Sequence, residues 1–173
     1  FIKNKYEYTY SKNNIGLCSS INRASNLIKT EYVIYAHDDM FFCKNWDFYL
    51  LNEIKKENDN LFYFSGTNIS YKDGIINYDC GENPSNFNEE KFNKFCLEDT
   101  SEDLQGSHWA PHIIHKSLWD RVGGFSLDFD PGDGSDPDLC MKLWNIGVRK
   151  FKCISKFKVY HFGSVTTRKR TIK

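Results

Sequence analysis

The sequence carries no excess of either charge. Its 23 lysines and arginines balance 23 aspartates and glutamates, for a formal net charge of zero. Proteins that grip duplex nucleic acid need a basic surplus against the phosphates, so no nucleic-acid partner is expected. No run of about 18 apolar residues occurs, so no transmembrane segment is expected in this chain. A signal-peptide pattern is also missing. The six cysteines (Cys18, Cys43, Cys80, Cys96, Cys140, Cys153) include no Cys-x-x-Cys pair. That scatter argues against a zinc site and a dense disulfide framework. It favours reduced thiols and a cytoplasmic location, at most peripheral to a membrane. Internal repeats and low-complexity tracts are lacking too.

What remains is the composition of one folded domain. The length of 173 residues leaves little room for two domains. Hydrophobic residues at 40% and aromatics at 16% suffice for a core and argue against wholesale disorder. The local basic excess at Arg168, Lys169, Arg170 and Lys173 reads first as a solvated chain end and second as a clamp on phosphate. Phe1 is not a start methionine, and the natural N-terminus is expected to be missing.

Periodicity places the elements. Tyr6 to Tyr10 alternates aromatic and polar residues and predicts a strand. Leu17, Ile21, Ala24 and Ile28 form one helical stripe, with Asn14 as its N-cap. Tyr32 to Ala36 is a short apolar run, as in a buried strand. Trp46 to Glu57 predicts a helix and Leu61 to Ser65 a strand. This alternation points to an α/β sheet with parallel neighbours. Asp73-Gly74 predicts a hairpin. Further on come a short helix near Glu89 to Phe95 and an acidic loop with Glu98, Asp99, Glu102 and Asp103. Then follow a strand at Trp109 to Ile114 and a helix at Ser117 to Val122, closed by Gly123-Gly124. An amphipathic helix from Asp138 to Ile146 and a last strand from Phe157 to Phe162 complete the chain.

Three constellations carry chemistry. His37-Asp38-Asp39 ends the apolar strand at Tyr32, and ligands of open α/β sheets bind outside the carboxyl ends of strands. Adjacent carboxylates repel unless a cation neutralises them, and Mg²⁺ or Mn²⁺ binds oxygen ligands and substrate phosphates together. Asp133, Asp136 and Asp138 crowd a glycine-bearing loop at a helix start. The helix dipole accounts for one or two of them, and one is left as a candidate general base. His161, followed by Gly163-Ser164, is a candidate ligand beside those acids. His108, His112 and His115 lack metal-pair spacing and read as structural or acceptor-facing.

Taken together, these segments resemble the family 2 glycosyltransferases. Asn14-Ile15-Gly16 with Asn22-Arg23-Ala24 is similar to that family's N-x-G…N-x-G/A helix start. Tyr32 to Asp39 is similar to its E-Y-I-x-x-L-D-D-D strand and metal motif, with Trp46 following. Val122-Gly123-Gly124-Phe125 resembles V-G-G-F-D. Ser135 to Leu143 resembles E-D-x-D-L-x-x-R-L, and His161 with Ser164 the late H-x-x-x-S element. Coverage runs from Tyr6 to Ser164.

The resemblance implies an α/β, three-layer, Rossmann-like GT-A fold with a mostly parallel mixed sheet, lacking its first strand and helix. It implies a single domain over residues 1–173. Residues 1–66 would be the nucleotide-sugar-binding half and 67–173 the acceptor side. The implied activity is inverting, metal-dependent glycosyl transfer from a UDP- or GDP-sugar to a glycan, lipid-linked or protein acceptor. By the same resemblance, Asp39 holds Mn²⁺ or Mg²⁺, and His161 completes the metal or phosphate contacts. Asp38 contacts the donor, and Asn14 and Trp109 face substrate. Gly123 and Gly124 shape the loop beneath the donor sugar. Ser135 stands where the family has glutamate, leaving Asp136 or Asp138 as the base. His37 stands where the family has the first aspartate, which leaves the choice of metal open. Two other classes fit less well: an inactive carbohydrate-binding scaffold of the same fold, and a sugar nucleotidyltransferase, whose glycine-rich loop is not seen.

Overall fold

The computed structural model describes residues 6–163. The basic tail from Arg168 and the Ser164 of the last motif lie outside them. The strands are β1 (Tyr32–Tyr35), β2 (Met40–Phe42), β3 (Phe62–Ser70), β4 (Ile76–Asn77), β5 (Leu104–Gln105), β6 (His112–His115) and β7 (Lys150–His161). The helices are α1 (Leu17–Ser25), α2 (Trp46–Ile54), α3 (Glu89–Glu98), α4 (Lys116–Val122) and α5 (Ser135–Asn145).

Among the described residues the strands form one mixed sheet in the order β1-β6-β3-β7-β2, with β4 added to β3 and β5 to β7. β3 lies parallel to β7 and to β4. β1 runs in the same direction but is separated from β3 by β6, which is antiparallel to both. The expected parallel neighbours are therefore limited to the middle of the sheet.

Strand alternation decides the layers. Phe62 and Phe64 of β3 and Ile113 of β6 face α2, which covers them with Leu50 and Ile54. Tyr63 and Ile114, one residue out of phase, face α1, α4 and α5 through Cys18, Leu118, Trp119, Leu139 and Leu143. The result is helix, sheet, helix, as period-2 strands between amphipathic helices require. Each such fully buried Phe or Leu contributes roughly 1.5–3 kcal/mol relative to exposure. A third cluster at one end joins Phe92 of α3 to Ile69 and Tyr160.

A bulge in β7 sets up the site. Its register with β3 jumps from Gly66↔Ile154 to Thr67↔Lys158. Gly66 sits at this bend, where a side-chain carbon would meet Pro111 at 2.9 Å and the Phe157 carbonyl at 3.0 Å. Beyond the bulge, the end of β7 pairs with β2, with Met40 opposite His161.

Three local expectations are corrected. Residues 6–10 form no strand; Tyr6, Tyr8 and Tyr10 are exposed, so their alternation has no buried face to fill. The Asp73-Gly74 turn makes no hairpin, because β4 returns parallel to β3. Side chains close that turn instead: Asp73 N–H donates to Ser70 Oγ at 2.8 Å and Gly74 N–H to Asn77 Oδ1 at 3.1 Å. Asn14 is not the N-cap of α1. Gly16 holds that position, and Asn14 Oδ1 accepts the Gly16 N–H at 2.9 Å in a local turn. The first donors of α1 go to a distant residue, Asp130, which accepts from Cys18 N–H at 2.7 Å and Ser19 Oγ at 2.6 Å.

Candidate active site

The site grows from the carboxyl end of β1. Tyr35, the last residue of that strand, is 5% exposed. Its ring packs against His112 and Phe125 at centroid distances of 5.2 and 5.1 Å. Two residues on, the His37 ring returns to the same side, and Tyr35 Oη lies 2.9 Å from His37 Nε2. Asp38 points outward and is exposed. Asp39 turns inward, because β2 begins immediately after it and pairs with the end of β7. Phe162 N–H donates to the Asp39 carbonyl at 3.1 Å, and the side chains of Asp39 and His161 meet, Oδ1 to Nε2, at 3.2 Å.

His37, Asp39 and His161 each offer one ligand atom, and these atoms lie within 4.8 Å of one another. Among the described residues this is the one set of three such groups close enough to share an ion. Burial, with the nearby His161 ring, lowers the His37 value and favours the neutral imidazole that can ligate a cation. The facing His161 ring holds the Asp39 carboxyl below the ordinary aspartate range despite burial. Asp39 Oδ1 is buried yet has no well-aligned hydrogen-bond partner. A buried oxygen left in this state between two ring nitrogens is what a cation would satisfy.

Asp136 approaches from α5. It lies three and four residues before Leu139 and Cys140, so helical geometry sets it on the inward stripe. Its Oδ1 is buried without a hydrogen-bond partner. Burial pushes its carboxyl from 3.8 up to about 6, with His108 nearby pulling the other way. Asp136 and Asp39 both act on the Tyr35 hydroxyl, whose value burial raises first and these carboxylates raise further. The cation-ready cluster and the unpaired acid therefore both lie within electrostatic reach of Tyr35. Asp138 faces away: Ser126 Oγ donates to its Oδ2 at 2.6 Å, and Lys142 Nζ lies 3.8 Å from the same oxygen.

No protein-family model matches the chain, and no curated protein matches it in sequence. In three dimensions it is similar to a crystal structure of GalNAc-T7 with UDP, GalNAc and Mn²⁺. The TM-score is 0.61 at 14% identity, over 87% of this chain. The chain has the GT-A fold. It spans 31% of the length of that neighbour, and the likeness is one of fold.

Within this GT-A fold the glycine pair has structural work. Gly123 ends α4 in the left-handed region at φ 73°. Gly124, at φ 65°, lies where a side chain would strike Asn22 Oδ1 and the Trp119 ring. Asn22 clamps the next residue in both directions: Nδ2 donates to the Phe125 carbonyl at 2.8 Å, and Oδ1 accepts the Phe125 N–H at 2.9 Å. The clamp sets Phe125 against Tyr35. Trp109 donates its indole N–H to the Gly66 carbonyl at 3.0 Å, at the β7 bulge. Asn14 remains at the entry to α1, exposed and locally bonded.

Sequence reasoning placed His37 beside the metal motif but not among the expected ligands, Asp39 and His161, and it gave Tyr35 no role. The signal for them was their i, i+2 spacing at a strand end, which puts both on one side.

Proposed function

We propose that this GT-A domain is a metal-dependent glycosyltransferase that moves a sugar from a nucleotide-diphosphate donor to an acceptor hydroxyl with inversion. The observation that carries this reading is the convergence of His37, Asp39 and His161, with the unpaired Asp136 carboxylate near enough to act on the same Tyr35 hydroxyl as Asp39. The neighbour of similar fold was crystallised with UDP, GalNAc and Mn²⁺, which supports a UDP-sugar ahead of a GDP-sugar.

The residues present fit a divalent cation. His37, Asp39 and His161 would hold it. Two ring nitrogens with one carboxylate favour Mn²⁺ over Mg²⁺, which prefers an all-oxygen shell. When bound, the ion supplies Lewis-acid neutralisation of the charge on a departing nucleoside diphosphate. Asp38, exposed beside the cluster, contacts the donor's ribose or sugar. Asp136 takes the proton of the acceptor hydroxyl as its oxygen attacks the anomeric carbon. With its carboxyl raised to about 6, it is ionised at neutral pH and more basic than an ordinary aspartate. No covalent intermediate forms. Residues 1–66 supply the donor side and 67–173 the acceptor side, for a glycan, lipid-linked or protein acceptor. Among the described residues no helix is long and apolar enough to cross a membrane.

Calorimetry with UDP- and GDP-sugars, with and without Mn²⁺, tests the proposal. Donor binding should appear only with the metal. Donor binding equal in both conditions, or no Mn²⁺ binding at all, would refute it.

A further inference from the structure

The helix α2 carries two stripes. Leu50 and Ile54 are buried against the sheet. Phe48, Asn52 and Lys56 recur every fourth position and form the second stripe, with Tyr49 and Glu53 beside them. Across from it β7 bulges. Residues 155–157 have no partner on β3, because the register jumps from Ile154 to Lys158. Between helix and bulge lies a cavity of about 650 Å³, which Asp103 also lines. None of its lining residues belongs to the metal cluster, and Tyr35 packs in the core layer on the other face of the sheet. We propose that this groove is a second binding site, for a neutral oligosaccharide, with Phe48 as the platform under a sugar ring and Tyr49 and Asn52 as partners for its hydroxyls.

Charge decides the class of ligand. Two carboxylates and two ammoniums line the groove, and each is engaged within the protein. Glu53 is paired with Lys56 at 2.6 Å and with Lys152. Lys152 also lies 3.3 Å from Asp103 Oδ2, and Asp103 Oδ1 accepts the Ser155 N–H at 2.8 Å. Lys156 Nζ donates to the Asp99 carbonyl at 3.0 Å. The lining is neutral in sum, and no ammonium stands free for a phosphate. Tyr49 and Asn52, by contrast, bring a hydroxyl and an amide that no hydrogen bond within the protein occupies among the described residues. Phe48 is 60% exposed, and its ring meets Tyr49 edge to face at 5.8 Å. An uncovered aromatic face beside open polar groups suits a molecule with apolar C–H faces and hydroxyl edges, and a sugar has both. The volume is that of a small-ligand site and accommodates roughly two or three sugar rings. The Glu53–Lys152–Asp103 bridge ties α2 to the bulge side, so the groove is preformed. The occupant is a distal stretch of a glycan acceptor, a role that rests on the transferase reading; the binding itself does not.

The test titrates the full chain with maltotriose, cellotriose and chitotriose, without metal or donor, by calorimetry and by amide chemical shifts. At least one trisaccharide should bind and shift the amides of α2 and of residues 154–156. Phe48→Ala should weaken that binding roughly tenfold or more, and Asn52→Ala about fivefold. Phe48 is largely exposed, so its variant should keep the wild-type Tm and Mn²⁺ affinity. Binding by none of the three sugars, wild-type affinity in both variants, or displacement of the sugar by inorganic phosphate would overturn the proposal. Sugar binding without any metal-linked donor binding would sink the transferase reading alone. Metal-linked donor binding without sugar binding would sink the groove alone.

Discussion

Asp39 Oδ1 stands 3.2 Å from His161 Nε2 because β2 starts one residue after Asp39 and sets Met40 opposite His161. The contact is a product of strand register. Sliding β2 by one residue would turn Asp39 to the other face, away from His161.

His161→Ala and Asp39→Asn should therefore each weaken Mn²⁺ binding by roughly tenfold or more, since each removes a ligand and leaves its partner unsupported. Titration by calorimetry measures the affinity. Thermal melts with and without Mn²⁺ give a second readout, and the metal-induced rise in Tm should vanish in both variants.

Tyr35→Phe keeps the ring against His112 and Phe125 but removes the hydroxyl that meets His37 Nε2 at 2.9 Å. Losing that anchor should cost about 1 kcal/mol of ring orientation, or roughly fivefold in Mn²⁺ affinity. The melting temperature without metal should hardly change. An unaltered affinity would show that the hydroxyl does not orient His37.

Asp136→Asn should abolish transfer while sparing Mn²⁺ and donor binding. Stability should move the other way. The Asp136 carboxyl is raised from 3.8 to about 6, so its neutral form favours the fold. That contribution is present below pH 3.8 and lost as pH rises through about 6. The asparagine variant should then be about 1–3 kcal/mol more stable than wild type at pH 7.5 and equal to it at pH 3.5. Chemical denaturation at the two pH values measures the difference.

The Asn22 clamp on Phe125 is a structural prerequisite for Tyr35. Asn22→Ala leaves two partly buried backbone groups of Phe125 unpaired and should destabilise by about 2–3 kcal/mol. Gly124→Ala should cost a similar amount, about 2–3 kcal/mol, through its left-handed backbone and the clash with Asn22 and Trp119. Urea unfolding measures both. Neither residue touches the candidate ligands, so Mn²⁺ affinity of the folded fraction should hold.

Much of this was legible in the residues. The acidic start of α5 was legible, but the sequence left Asp136 and Asp138 as alternative bases, with the helix expected from Asp138. α5 begins at Ser135, which brings Asp136 onto its inward face, while Lys142 takes up Asp138. The apolar run of β1 announced the turn at His37-Asp38-Asp39. Long-range pairing was not legible. Nothing near Cys18 tells that Asp130 caps α1, with 112 positions between them. Nothing near Tyr6 tells that its alternating segment finds no partner strand. β4 misled for a local reason: Asp73-Gly74 has hairpin chemistry, but Ser70 and Asn77 side chains close the turn first.

The Asp130 cap also decides what α1 is unable to do. Open helix starts attract phosphate through bare N–H groups and the positive end of the dipole. Here that seat is taken by an anion of the protein's own, and Gly16 is packed so tightly on the Asp130 carboxylate that no side chain fits between. A diphosphate arriving at α1 would meet repulsion, so under the proposed function this helix start would not be its anchor, the cation would be, and chelation should weaken donor binding strongly.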